Sequence, residues 1–208
     1  MKTLSKILTL GLIISLFSAC AIFRQKTINA AYDEGVVING IRWATRSVDA
    51  PGTFALYPES PGMFFQWSKR KGWCPTNKET EGWITEGWTR FFFRDTEWYA
   101  ENDPCPDGWR LPTQYEFESL IDAGSKQVTQ NGVNGLLFGT VPNQIFLPAV
   151  GLHPRDDGPI GLRRGDGNYW SSTRDVGEFA VGLWFISDFV MINRLWRTGG
   201  FSIRCVAK

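Results

Sequence analysis

Histidine is nearly absent from this 208-residue chain; His153 is the only one. A lone imidazole cannot build a His-cluster zinc site, and a Ser-His-Asp triad would have to run through one loop residue that precedes Pro154. Charge of one sign is missing as well. Lys and Arg number 22 against 21 Asp and Glu, a net charge of +1. The basic residues are scattered rather than striped, so the chain has no field that would gather nucleic acid. There is no P-loop and no GxGxxG fingerprint in its expected setting. Carboxylate pairs such as Glu116 with Glu118, or Asp156 with Asp157, have no spacing that sets them apart from ordinary surface. These gaps argue against an enzyme, a cofactor, a metal site or a nucleic-acid partner.

A long hydrophobic run is lacking too. The apolar stretch from Ile7 to Phe17 falls short of the roughly 20 residues a helix needs to cross a bilayer core. With Lys2 and Lys6 before it and Ser18-Ala19-Cys20 after it, the stretch has the layout of a secretory signal. Two processing routes fit. Leu16-Phe17-Ser18-Ala19-Cys20 resembles a bacterial lipobox, which would make Cys20 the lipidated first residue. Ala19-Cys20-Ala21 satisfies the small-x-small rule and would release soluble protein. We expect lipidation at Cys20, which anchors the exported protein by acyl chains in the bacterial cell envelope, at the outer membrane. Residues 1–20 are then signal segment, 21–34 a tether without hydrophobic period, and 35–208 one domain large enough for a core of its own. Export leaves Cys74, Cys105 and Cys205 in an oxidising compartment, with three pairings open and one cysteine over.

Val36-Val37-Ile38, Asn39-Gly40 and Ile41-Arg42-Trp43 predict a β-hairpin, because Asn-Gly supplies the positive φ of a tight turn. From Phe54 to Trp98 the chain is crowded with aromatics, including Phe64, Phe65, Trp67, Trp73, Trp83, Trp88 and Phe91 to Phe93, without a regular period. These rings read as packing posts for long loops, with a carbohydrate-stacking platform as the other reading. Thr113-Gln114-Tyr115-Glu116 is a capping box that starts a helix with Phe117, Leu120 and Ile121 on its apolar face and Gly124 at its end. Gly132 to Gly139 and Val141 to Leu147 read as loop and short strand, Phe146 to Gly151 as a short apolar strand, and His153 to Gly167 as an exposed loop. Within that loop Asp156, Asp157 and Asp166, with Asp107, are acidic residues more suited to turns than to a calcium site.

Cys105-Pro106-Asp107-Gly108-Trp109-Arg110-Leu111-Pro112-Thr113, with Tyr169-Trp170-Ser171-Ser172-Thr173 and Ile203-Arg204-Cys205-Val206, resembles the Fibrobacter succinogenes major paralogous domain family. The likeness runs from about Gly35 to the end. It implies an α+β, C-type-lectin-like fold: small mixed sheets, one or two helices, long irregular loops, and both chain ends in one sheet. It also implies a disulfide between Cys105 and Cys205, leaving Cys74 as the odd cysteine, read as a small buried residue. The Glu-Pro-Asn, Gln-Pro-Asp and Trp-Asn-Asp tripeptides of calcium-dependent sugar binding do not occur here. Fold does not carry function, so the site must be argued separately.

From Arg174 to Phe201 the apolar residues exceed what one buried strand face can use. Either the strands are buried on both faces, or large side chains are exposed beside Arg174, Arg194 and Arg197, a composition suited to the centre of an interface. Lipoproteins of this kind resemble the variable proteins of diversity-generating retroelements, whose last hairpin carries the diversified positions. That likeness implies a displayed, ligand-binding set of Arg174, Asp175, Val176, Phe179, Trp184, Ile186, Phe189, Met191, Ile192, Arg194, Leu195, Trp196, Thr198 and Phe201. Tyr169 to Thr173, Ala180, Phe185 and Ile203 to Val206 would be framework. The expected function is binding of a protein or glycan ligand through these strands; the alternative is a structural or adhesive subunit of a surface assembly.

Overall fold

The computed structural model describes residues 30–74, 88–89, 97–152 and 165–208. Among them the chain is α+β, with small antiparallel sheets around one α-helix. Strands β1 (Val36–Ile38) and β2 (Ile41–Trp43) form the expected hairpin, turned by Asn39 at φ +49° and Gly40 at φ +80°. Strands β3 (Phe64–Phe65) and β4 (Gly72–Trp73) make a short ribbon. Two-residue strands β5 (Trp109–Arg110) and β12 (Val206–Ala207) complete the first sheet in the order β1-β2-β12-β5. The last strand of the domain therefore lies between its first hairpin and the Trp109–Arg110 motif.

The fold reaches ahead of Gly35. Asp33 is buried, and its carboxylate accepts from the Gly35 N–H at 2.9 Å, the Thr45 N–H at 3.1 Å and Arg46 Nε at 3.0 Å. A buried carboxylate needs such partners to offset its lost hydration. The Ala30 carbonyl accepts from the Phe54 N–H. Residues 30–34, read from the sequence as tether, thus belong to the domain.

Helix α1 (Gln114–Asp122) begins at the capping box: Thr113 Oγ1 accepts from the Glu116 N–H, and Glu116 Oε2 from the Thr113 N–H. Phe117 and Leu120 are buried, and Gly124 takes φ +78° just past its end. The next segment departs from the sequence reading. β8 (Asn143–Pro148) falls on the strand expected at Val141 to Leu147, but β6 (Ser125–Gln130) and β7 (Val133–Thr140) replace the expected loop and make an antiparallel meander with it. Its first turn, Asn131 at φ +48° and Gly132 at φ +82°, repeats the Asn-Gly chemistry of the opening hairpin. Gly135 and Gly139 disguised β7 as loop. Gly135 has a packing reason to be there, since a Cβ would stand 2.3 Å from the Leu147 carbonyl oxygen.

Two hydrophobic clusters fill the domain. One gathers Trp43, Phe117, Leu120, Phe138, Tyr169, Leu183 and Phe185; the other gathers Phe54, Phe65, Trp67, Trp109, Trp170, Leu195 and Phe201. Phe54, Phe64, Phe65, Trp67 and Trp73 are buried, as packing posts should be. Trp67 meets Trp98 and Trp170 edge-on, at centroid distances of 5.1 and 5.3 Å. Trp83, Phe91, Phe92, Phe93 and residues 153–164, with Asp156 and Asp157, lie outside the described residues. Asp166 and Gly167, read as loop, are already strand.

Cys105 and Cys205 form a disulfide with a Cα–Cα distance of 6.1 Å across 100 residues. In the chain-entropy account, closing a loop of that length constrains the unfolded chain by about 4–5 kcal/mol. Cys74 is not the spare cysteine of the sequence reading; it too is disulfide-bonded.

Glu116 also receives Arg110, whose guanidinium donates to its two carboxylate oxygens at 2.9 and 2.7 Å. Burial works against the Glu116 charge, but Arg110 and Thr113 outweigh it and hold the carboxyl below its ordinary value of 4.5. A carboxyl depressed on folding stabilises above its unfolded value and loses that contribution as pH falls through its folded one. Glu116→Gln is therefore expected to lower the urea midpoint at neutral pH and to lose its effect progressively below 4.5. An effect that stays constant across that window would contradict the role given to the ion pair.

Candidate binding surface on the last hairpin

The third sheet, β9 (Asp166–Arg174), β10 (Phe179–Ile186) and β11 (Phe189–Trp196), has the order β11-β10-β9. Each residue of the Tyr169–Thr173 motif is a tie to another element. Tyr169 Oη donates to the Pro148 carbonyl at 2.8 Å, Trp170 Nε1 to Phe65 O at 2.7 Å, Ser171 Oγ to Val181 O at 2.7 Å, and Ser172 Oγ to Pro112 O at 3.2 Å. Thr173 Oγ1 accepts the Gln114 N–H at 2.9 Å, which satisfies an otherwise unpaired donor at the helix start. The final motif works the same way. Arg204 is fully buried and donates to Ala44 O, Ser47 Oγ and Phe146 O at 3.2 Å each. Its burial pulls the guanidinium pKa down from the usual value. These hydrogen bonds hold the scaffold together, with Arg204 Nε the one buried guanidinium nitrogen among them that lacks a partner.

The hairpin β10–β11 is different. Directly opposed residues in an antiparallel pair share a face, and the face alternates along the strand. One face carries Phe179 with Trp196, Val181 with Arg194, Leu183 with Ile192, and Phe185 with Val190; the other carries Ala180 with Leu195, Gly182 with Asn193, Trp184 with Met191, and Ile186 with Phe189. On the first face Leu183 and Phe185 are buried in the cluster beneath α1, and Val190 and Ile192 pack against it. On the second, Ala180 and Leu195 are buried in the Trp170 cluster. Both faces are thus covered, but over different lengths. The sequence posed burial or exposure as alternatives; the hairpin has each, at opposite ends of opposite faces.

Two uncovered clusters result. At the turn end, Ile186, Phe189 and Met191 are exposed beside half-buried Trp184, whose ring lies 5.9 Å from that of Phe189. Phe189 is 56% exposed, a large apolar surface for a ring beside exposed Ile186 and Met191. At the opposite end and on the other face, the rings of Phe179 and Trp196 meet at 4.2 Å, and the Arg194 guanidinium sits 4.5 Å from the Phe179 ring. Arg194 Nε is ion-paired with Asp175, and exposed Val176 adjoins that residue in the loop. Arg174 reaches Glu97 at 3.9 Å, but both side chains are so exposed that this pair contributes little.

Of the expected displayed set, Arg174, Val176, Ile186, Phe189, Met191, Arg194 and Trp196 are exposed. Asp175, Phe179, Trp184 and Ile192 are half-buried. Leu195, Thr198 and Phe201 are buried and leave the set; Phe201 meets Trp170 at 4.7 Å and belongs to the core. Arg197, read with the interface arginines, is also structural. It is fully buried, lies 5.4 Å from the Trp67 ring, and donates to Phe179 O and Asp175 O at 2.8 Å each. Alternation alone could have separated Leu195 from its neighbours, had the β10–β11 register been known. Asn193, which sequence reasoning passed over, accepts the Arg194 N–H at 2.8 Å.

Among the described residues no group of three or more His, Cys, Asp or Glu side chains is placed to hold a metal ion. An open depression lined by Tyr57, Glu59, Ser60, Asn131 and Val133 lies outside this hairpin, and Asn131 Nδ2 already donates to its Glu59 carboxylate at 2.8 Å. Comparison of the chain with family models, with curated proteins and with solved structures gives no match.

The division between core and surface has a direct consequence. Leu195→Ala is expected to cost about 2–5 kcal/mol of unfolding free energy, the usual cost of a large-to-small change in a core. Phe189→Ala, on the same face of the same strand, should stay within about 0.5 kcal/mol. Urea denaturation measures both, and equal losses would contradict the assignment of Phe189 to the surface.

Proposed function

We propose that the protein is an exported envelope lipoprotein, anchored through Cys20 at the outer membrane, that binds a ligand through the β10–β11 hairpin of a C-type-lectin-like domain. The observation that carries this reading is the turn-end cluster: Trp184, Ile186, Phe189 and Met191 lie side by side, partly or largely uncovered, on elements whose scaffold ties are made elsewhere. Aromatic and Met side chains are enriched at the centres of interfaces, and Trp is among the types that dominate binding energy. The second cluster, with Phe179, Trp196 and the ion-paired Arg194, adds a polar-edged surface on the opposite face. The ligand is a protein or a glycan, and the apolar character of the turn end favours a protein surface. The family likeness supports a further refinement, that this hairpin is the diversified segment of a retroelement variable protein, with Arg174, Asp175, Val176, Phe179, Trp184, Ile186, Phe189, Met191, Ile192, Arg194 and Trp196 as the exchanged positions. Lipidation of the Cys20 thiol and a disulfide from that thiol to Cys74 exclude each other, so peptide mapping of the exported protein decides between them: a diacylglyceryl mass on Cys20 is expected, and a Cys20–Cys74 bridge would remove the anchor.

The test has two parts. Wild type and Trp184→Ala/Phe189→Ala protein, matched for thermal midpoint, are compared on a glycan array and by crosslinking to cell surfaces. Partners held by the wild type should be lost by at least about tenfold in the variant, since hot-spot truncations cost about 2 kcal/mol or more. Equal retention would sink the hairpin as the binding surface. Sequencing of codons 168–208 across a cell population should show variation confined to the exchanged positions with the Trp170–Thr173 and Arg204–Val206 framework intact, and one invariant sequence would remove the diversification reading.

A further inference from the structure

Among the described residues, β11 pairs with β10 on one side and with no strand on the other. Such an edge exposes backbone donors and acceptors, and proteins blunt it with Pro, Lys or bulges. β11, Phe-Val-Met-Ile-Asn-Arg-Leu-Trp, contains neither Pro nor Lys, and Arg194 is its one charge. The direction of its backbone groups follows from two hydrogen bonds. The Arg194 N–H turns away from β10 and donates to Asn193 Oδ1, whereas the Arg197 N–H runs inward to Glu178 O at 3.0 Å. Because direction alternates along the strand, Val190, Ile192 and Arg194 present their N–H and C=O groups outward.

We propose that a second copy of this chain pairs antiparallel with this edge, joining two three-stranded sheets about a two-fold axis centred on Ile192. An axis perpendicular to the sheet keeps like faces together and makes opposed residues share a parity. Centred on Ile192, it opposes Val190 to Arg194 of the second copy, Ile192 to itself, and Arg194 to Val190, so all three outward residues exchange backbone hydrogen bonds. Arg194 then lies diagonal to the position of Asp188 of the second copy, the exposed turn residue just ahead of β11, and symmetry makes that attraction twice. A shift of the axis to Asn193 would instead place the two Arg194 guanidinium groups diagonal to each other, which like charge disfavours. The Arg194 guanidinium has donors to spare beyond its Nε contact with Asp175. The bond between the Arg194 N–H and Asn193 is exchanged for an inter-strand one. The pairing is that of the chain carrying Arg194 and needs no ligand; it would set the two turn-end clusters on one continuous face and so make the binding surface bivalent.

Sedimentation of the full mature chain across a concentration series tests this. Wild type should form a dimer, Asp188→Arg and Arg194→Asp should each weaken it at least about tenfold by setting like charges diagonal across the two-fold, and the double exchange should restore it. Asp188→Arg is the decisive single variant, because Arg194 also serves Asp175 and Phe179 within its own chain. Thermal midpoints of each variant separate loss of pairing from loss of fold. A wild type that stays monomeric, single variants that dimerise like wild type, or a double exchange that fails to restore the dimer would each overturn the proposal. Because sedimentation is read without ligand, its outcome is distinguishable from failure of the hairpin to bind one.

Discussion

The Cys105–Cys205 disulfide fastens the end of the chain to the loop that precedes α1, and β12 extends the same union by hydrogen bonds. Val206 pairs with Trp43 on one side and Arg110 on the other, while the Ala44 N–H donates to Cys205 O and the Val48 N–H to Ile203 O. Everything between residues 105 and 205, including α1, the meander and the last hairpin, is thereby one closed loop whose two ends are fixed in a single sheet. The cost of closing so long a loop grows only slowly with its length. A segment far from the closure can then change with little effect on the closure itself.

That constraint explains why the hairpin can carry uncovered rings. β9 is the structural member of its sheet: it meets Phe65, Pro112, Pro148 and Ser202 through hydrogen bonds and holds Tyr169 and Trp170 in the two clusters. β10 lies on β9 and is buried along its middle, and β11, the outermost strand, is mostly partly or fully exposed, with Leu195 its buried residue. Arg197 pins the open end of the hairpin by bonding Phe179 O and Asp175 O from a buried position against Trp67. Fixed at that end, the hairpin leaves its turn end uncovered by the described parts of the domain. The exposure of the turn end is a consequence of where the ties stop.

Local chemistry was the most legible part of the sequence. The Asn39-Gly40 turn and the Thr113–Glu116 capping box depend on neighbours in the chain, and both formed as expected. The Cys105–Cys205 pairing is implied by family likeness and not by spacing, because spacing leaves three pairings open. The meander is hard to read from the sequence because Gly135 and Gly139 have the look of loop, although the first admits the close approach of Leu147. Asp33 was missed because a single acidic residue in a polar stretch gives no period to read. The displayed set mixed surface with core at Leu195, Thr198 and Phe201, since which face of an apolar-rich strand is covered is decided by distant elements, here the cluster around Trp170. Arg197 shows the same limit from the other side: its charge reads as surface, and only its carbonyl partners reveal a buried clamp.

Buried framework and uncovered surface are separable within residues 166–208, and a saturation library over that segment, selected for protease resistance without any ligand, tests this most directly. The account predicts that Val176, Ile186, Phe189 and Met191 accept polar and charged replacements, while Trp170, Leu183, Phe185, Leu195, Phe201 and Arg204 accept almost none. A map in which the turn-end residues are as intolerant as the buried ones would show that the uncovered cluster holds the fold together, and would contradict the account.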